Sequence, residues 1–187
     1  RLWIPRDASR RTDLVGACNC FRRPSNLAKL GSFRCLESSG GTDSQGRSAM
    51  TIADPLKTQM LAVARSAREA AYAPYSKYTV GAALLADNGQ VFGGCNVENA
   101  AYPEGVCAEA GAISAMVLAG MQRAKAVLVV GGGAHQITPC GGCRQKLREF
   151  CDPKSFTVLA INEDGQQQQW TLEELLPGSF GPHHLSI

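Results

Sequence analysis

Cys107-Ala-Glu-Ala-Gly-Ala-Ile-Ser-Ala-Met-Val-Leu-Ala119 and Pro139-Cys-Gly-Gly-Cys-Arg-Gln-Lys-Leu-Arg-Glu-Phe-Cys151 decide how this chain folds. Each reads as a helix. Gly120 stops the first, because glycine readily takes the left-handed conformation that ends helices, and Pro139 opens the second with its fixed φ. Between and after them, Ala126-Val-Leu-Val-Val130 and Phe156-Thr-Val-Leu-Ala-Ile161 are short apolar runs of the buried-strand type. Upstream, Tyr78-Thr-Val-Gly-Ala-Ala-Leu-Leu-Ala86 and the run from Gln90 to Cys95 flank Asp87-Asn88-Gly89, whose Asn-Gly pair signals a tight hairpin. Before that, Leu56, Met60, Val63, Ala64, Ala67 and Ala71 share one helical face. Asp54 is the expected N-cap of that helix, Pro55 its first residue and Pro74 its stop. At the other end, Thr171-Leu-Glu-Glu174 is a capping box that starts a last short helix. An initial hairpin followed by alternating helices and strands predicts a mixed sheet covered on both faces, a three-layer α/β/α sandwich.

This patterning begins at Met50, the first Met in the sequence, so residues 50–187 are expected to form the folded domain. Residues 1–49 hold no sustained period and end in a Ser/Gly-rich run. They read as a disordered extension or a misassigned upstream segment, with a targeting role as the rival. Charge divides at the same point: residues 1–49 hold nine Lys/Arg against four Asp/Glu, and residues 50–187 hold ten against twelve. The domain thus lacks the basic excess that grips a phosphate backbone, and no nucleic-acid partner is expected. With 187 residues, 44% hydrophobic and 19% charged, the chain suits one globular domain. No run reaches the roughly 18 apolar residues that a membrane-crossing helix needs, so no membrane partner is expected either.

Eight cysteines are distributed unevenly. Cys18, Cys20 and Cys35 fall in the first segment, while Cys95, Cys107, Cys140, Cys143 and Cys151 fall in the second, an odd set that argues for metal or free thiols over closed disulfides. Cys140 and Cys143 are spaced to share one side of a helix's first turn, and Cys107 stands at the start of the preceding helix. Helix N-termini favour thiolates. Three such sulfurs suit zinc, which accepts soft ligands in a tetrahedron and keeps its fourth position for water. Glu109, on the same first turn as Cys107, is close enough to exchange protons with that water without ligating the metal. Cys107-Ala108-Glu109 followed by Pro139-Cys140-Gly141-Gly142-Cys143 is the Cys-first form of the zinc deaminase signature.

With those motifs, the domain resembles the homotetrameric type of cytidine deaminase. The likeness extends to Ala73-Pro74-Tyr75-Ser76-Lys77-Tyr78, Val80-Gly81-Ala82-Ala83-Leu84, Gly94-Cys-Asn-Val-Glu-Asn-Ala-Ala-Tyr102 and Leu175-Leu-Pro-Gly-Ser-Phe180. It implies one zinc per subunit held by Cys107, Cys140 and Cys143, with Glu109 as the proton shuttle. It further implies that Asn96 and Glu98 hydrogen-bond the ribose hydroxyls, that Tyr78 packs near the pyrimidine and that Ala108 offers its backbone amide to the base. Tyr102 would complete the pocket, and Phe180 would reach the pocket of a neighbouring subunit. The implied reaction turns cytidine or 2′-deoxycytidine into uridine or 2′-deoxyuridine with release of ammonia, in cytoplasmic pyrimidine salvage. A carboxylate at Glu98 suits a neutral sugar hydroxyl and would repel a phosphate, which favours a free nucleoside over a nucleotide.

One departure from the resemblance matters. The residue after the catalytic Glu is commonly Arg in this family and offsets the charge of three thiolates; here it is Ala110. Helix N-terminal amides and Arg144, next to Cys143, are the candidates to compensate, and Arg144 is the expected one. Rival readings remain: a deaminase of bases within nucleic acid or of another aminated compound, and a structural zinc module closed by Cys95 as a fourth sulfur. Cys95 and Cys151 otherwise read as packing cysteines, and His183-His184 as a solvated tail.

Overall fold

Alternation along one strand sets the layers. In the chain's computed structural model, which describes residues 50–185, β1 (Val80–Ala86) is buried along almost its whole length. Ala82, Leu84 and Ala86 enter one apolar cluster, while Ala83 and Leu85 enter another. Period two thus distributes one strand between two cores, so both sheet faces must be covered. α1 (Asp54–Glu69) covers one face through Met60 and Ala64, which pack with Leu128, Val130 and Leu159. α2 (Ala108–Leu118) and α3 (Gly141–Glu149) cover the other through Ala112, Met116 and Leu147, packed with Val127, Val129 and Phe156. Burying one side chain of Leu or Met size contributes roughly 1.5–3 kcal/mol, so these two clusters are the main apolar support of the sheet.

β2 (Val91–Cys95), β3 (Ala124–Gly131), β4 (Thr157–Ile161) and β5 (Gln167–Thr171) complete the sheet in the order β2-β1-β3-β4-β5. β3 and β4 run parallel with α3 between them, and the other pairs are antiparallel. The three-layer α/β/α sandwich with a mixed sheet is therefore the fold. α4 (Leu172–Leu175) starts on the expected capping box, with Thr171 Oγ1 accepting from the Glu174 amide and the Glu174 carboxylate accepting from the Thr171 amide. At Gly94 a β-carbon would sit 2.2 Å from the Ala112 nitrogen and 2.3 Å from the Ala108 carbonyl oxygen. Only glycine lets β2 lie directly on the first turns of α2, which brings the start of that helix close to the sheet.

Several boundaries differ from the sequence reading. Asp54 is the first helical residue of α1 rather than its cap, which is Ala53; its carboxylate still benefits from the positive end of the helix dipole. α1 stops at Glu69, well before Pro74, because the Tyr72 amide leaves the helix to bond the Asn96 carbonyl and the Tyr72 carbonyl accepts from the Glu98 amide. Tertiary bridging outweighs helical propensity there. β5 was not expected: its Gln-rich residues are exposed on a sheet edge and mask the strand period. The cue for it was Asp164-Gly165, a hairpin turn in which Gly165 takes a φ of 81° and the buried Asn162 side chain accepts from the Gln166 amide. Expectations for residues 1–49, including Cys18, Cys20 and Cys35, lie outside the described residues. Among the described residues, no helix is long and apolar enough to cross a membrane.

Candidate active site

Two of the three candidate ligands occupy the same structural position. Cys107 and Cys140 are the N-caps of α2 and α3, both with extended backbone, and their carbonyls accept the first helical bonds from Gly111 and Arg144 at 3.2 and 2.9 Å. Cys143 follows within the first turn of α3. This differs from a helix beginning at Pro139: the proline precedes the cap, and the exposed Cys140 side chain makes no capping bond, which leaves its sulfur free for the neighbouring thiols. The sulfurs of Cys107 and Cys140 lie 3.8 Å apart, and all three sulfurs lie within 4.8 Å of one another. Among the described residues this is the group of its kind able to hold a metal ion.

Electrostatics favour a cation in this cradle. Burial, helped by the Glu109 carboxylate, pushes the Cys143 thiol far above its ordinary range. Burial also raises Cys107, with the Cys140 charge adding to it. Burial opposes ionisation of Cys140 as well, but hydrogen bonds from the Cys143 amide and the neighbouring thiols bring it below the ordinary value. Three thiols this close resist ionising together without a positive charge among them. The donor set therefore fits zinc, whose tetrahedron leaves one position beyond the three sulfurs. Glu109, only 5% exposed, sits on the first turn of α2 and accepts from the Cys143 thiol at 3.4 Å.

Two cavities meet at this point. The smaller, about 200 Å³, is lined by Cys107, Ala108, Glu109 and Cys140 together with Val80 and Asn96. The larger, about 490 Å³, is bounded by Tyr75, Ser76, Glu98, Tyr102 and again Asn96 and Cys107. Asn96 and Cys107 are common to both, so a molecule in the larger space has its end near the sulfurs. Asn96 is already engaged: its Oδ1 accepts from the Val80 amide at 2.7 Å and its Nδ2 donates to the Tyr78 carbonyl at 2.9 Å. Glu98 accepts from the Tyr75 and Ser76 amides at 2.9 and 3.2 Å and from the Ser76 hydroxyl, and these bonds hold its carboxyl below the usual range. In the sequence Tyr75 and Ser76 carry no chemical motif of their own, and their one signal is adjacency to Tyr78.

Other expected residues are placed differently. Tyr78 is absent from the residues bounding either cavity; its hydroxyl lies against Gly131, where a β-carbon would meet it at 2.7 Å. Phe180 is 55% exposed and stacks on His184 with ring centroids 5.0 Å apart. The two histidines are exposed but not a loose tail: His183 Nδ1 is 3.4 Å from Arg148 Nη2, and His184 Nδ1 accepts from the Gly181 amide. Arg144 donates to the carbonyls of Pro139 and Leu175, both at 2.7 Å, and to the Thr138 hydroxyl at 2.9 Å. Cys95 lies outside the sulfur trio, 3.8 Å from the Ala70 carbonyl, which removes the fourth ligand that a closed structural site required. Cys151 is buried, and its thiol is pushed up to about 12.

A thiol cradle beside a buried carboxylate, opening into a cavity lined by both polar and apolar side chains on an α/β/α sandwich, is the arrangement of a zinc-dependent hydrolase of small molecules. The family model for the cytidine and deoxycytidylate deaminase zinc-binding region matches residues 55–159. The cytidine deaminase of Sporosarcina psychrophila is 44% identical over 128 residues, which cover 68% of this chain and 93% of that protein. The crystal structure of cytidine deaminase from Burkholderia pseudomallei superposes with a TM-score of 0.63 at 42% identity, covering 66% of this chain and 98% of that one. The cytidine deaminase structure from Mycobacterium tuberculosis gives 0.59 at 36% identity, with coverages of 70% and 99%. The chain belongs to the cytidine and deoxycytidylate deaminase family.

Proposed function

We propose that the protein hydrolyses the exocyclic amine of cytidine and 2′-deoxycytidine, giving uridine or 2′-deoxyuridine and ammonia. The observation that carries this is the contact of the two cavities at Cys107 and Asn96, with Glu109 lining the smaller one. Cys107, Cys140 and Cys143 would hold one zinc. Zinc bound there supplies Lewis acidity, lowering the pKa of water toward about 7. Glu109 accepts a proton from the attacking water, delivers it to N3 of the cytosine so that C4 becomes electrophilic, and passes the second proton to the departing amine. Water thus supplies the new C4 oxygen, and the C4–N bond is the one that breaks. Burial of Glu109 keeps bulk water from competing for these transfers.

At the other end, Asn96 and Glu98 receive the sugar hydroxyls, and Tyr102 closes the cavity. Ala108, buried at the first position of α2, offers its amide to the base. Arg144, next to Cys143 in sequence, would supply the positive charge that Ala110 does not; its own hydrogen bonds run to the Pro139 and Leu175 carbonyls and the Thr138 hydroxyl. Tyr75, Val97, Tyr102 and Val106 expose large apolar surface at the cavity, and Phe180 does so on the C-terminal segment. Contiguous apolar surface of this kind suits coverage by other copies of the chain, in keeping with a homotetramer in which Phe180 reaches a neighbour's pocket. The enzyme would act in cytoplasmic pyrimidine salvage on free nucleosides. Ammonia release from cytidine by the zinc-loaded full chain, beside Glu109→Ala with zinc measured in both, tests this reading. Absence of turnover in the folded, zinc-loaded wild type would overturn it.

A further inference from the structure

Glu98 is held by two different kinds of bond. Both backbone donors, from Tyr75 and Ser76, go to Oε2; the Ser76 hydroxyl alone reaches Oε1. A carboxylate tethered at one oxygen can pivot, whereas one tethered at both has a fixed plane. The hydroxyl's direction is itself set, because the Tyr78 amide donates to Ser76 Oγ at 3.0 Å and leaves the hydroxyl proton for Glu98. The chain reverses next to this pair at Lys77, whose φ of 59° is the single positive value at a non-glycine position among the described residues. Such a conformation persists only where its surroundings hold it, and it is a feature that clusters at functional sites.

A carboxylate has about four acceptor positions, and the loop occupies three, which leaves one for a donor in the cavity that Ser76 and Glu98 both line. We propose that Ser76 is a positioning residue that aims this remaining acceptor at a sugar hydroxyl, so that it sets nucleoside affinity without touching the reacting atoms. The proposal rests on the reading of Glu98 as the acceptor for the sugar. Ser76 is also the largest cause of the lowered Glu98 pKa, which extends the acceptor-only carboxylate to lower pH.

The test uses the zinc-loaded full chain and two substrates, cytidine and 2′,3′-dideoxycytidine, which lacks both ring hydroxyls. The dideoxy compound is read by competition against cytidine if its turnover is slow. Ser76→Ala is expected to raise KM for cytidine about tenfold with kcat held within about threefold, and to change the dideoxy compound's affinity less than about twofold. Ser76→Thr, which keeps the hydroxyl, should restore the cytidine KM. Equal losses on both substrates, or no loss on cytidine, would overturn the proposal. Glu98→Gln separates the two failures. If it weakens cytidine selectively while Ser76→Ala does not, only the role of Ser76 falls. If it treats both compounds alike, the sugar reading of Glu98 falls and takes Ser76 with it. Should Ser76→Ala not fold and load zinc, Ser76→Cys, close in volume but a weak donor, decides the same comparison.

Discussion

The metal end of the site and the proposed sugar end are built by different means. At the metal end, Cys107, Glu109, Cys140 and Cys143 stand on the first turns of two helices, with Glu109 and Cys143 almost fully buried. At the sugar end the groups stand on loops, and Tyr75 and Tyr102 are 49% and 77% exposed. Its order comes from side chains bonding to backbone far off in sequence, as Glu98 does to Tyr75 and Ser76 and Asn96 to Tyr78 and Val80. Helix geometry fixes the first set to each other with few adjustable torsions. The second depends on each hydrogen bond separately, so a single loss there should weaken binding while leaving the chemistry in place.

The sharpest separation of the two ends is loss of a ligand. Cys143→Ala removes the buried sulfur of the trio, and we expect zinc content near zero with turnover down by at least about 10³-fold. Glu98→Gln should load zinc fully. Metal analysis and ammonia release on the two variants check this, and zinc loss in both would break the division. Next in size, Glu109→Gln should keep its zinc and lose about 10²–10⁴ in kcat with little change in KM, since only the proton transfers are affected. A loss confined to KM would move Glu109 from the chemistry to binding.

Asn96→Ala tests the seam, because Asn96 borders both cavities. Two part-buried hydrogen bonds to the backbone around Thr79 disappear, at a cost of about 1–3 kcal/mol in stability. A lower Tm together with a raised KM for cytidine is expected. A raised KM at unchanged Tm would show that the amide serves the ligand more than the loop.

The same division explains what the sequence made legible. The capping box at Thr171 and the hairpin at Gly89 are each encoded within a few residues, and the thiol cradle in two short motifs, Cys107 to Glu109 and Cys140 to Cys143, where spacing and turn chemistry are strong signals. β1 was recognisable because a run of small and branched apolar residues buried on both sides permits few other readings. β5 escaped because an exposed edge strand needs no apolar period, and three of its five residues are Gln. At the sugar end, no local pattern couples Ser76 to Glu98 or takes Asn96 across to Val80; those pairings exist only once the hairpin closes. The engagement of Arg144 with Leu175 was hidden for the same reason, since α4 comes much later in the chain.

The smallest effect concerns pH and lies wholly at the sugar end. The Glu98 carboxyl is held below its ordinary value, chiefly by the Ser76 hydroxyl with the two backbone amides adding, against an opposing effect of desolvation. For a carboxyl whose folded pKa is depressed, the loop order it supports is fully present above the ordinary range and is lost as pH falls through the lowered folded value. Protection of the Tyr75 and Ser76 amides from hydrogen exchange, corrected for the intrinsic rate, should therefore persist through the ordinary glutamate range and fade only below it. In Ser76→Ala the fading should begin at higher pH, because the largest contribution to the depression is gone. Coincident midpoints in wild type and Ser76→Ala would show that the amides alone hold the carboxylate. The sugar end would then be as backbone-determined as the metal end, and the contrast between the two would reduce to exposure.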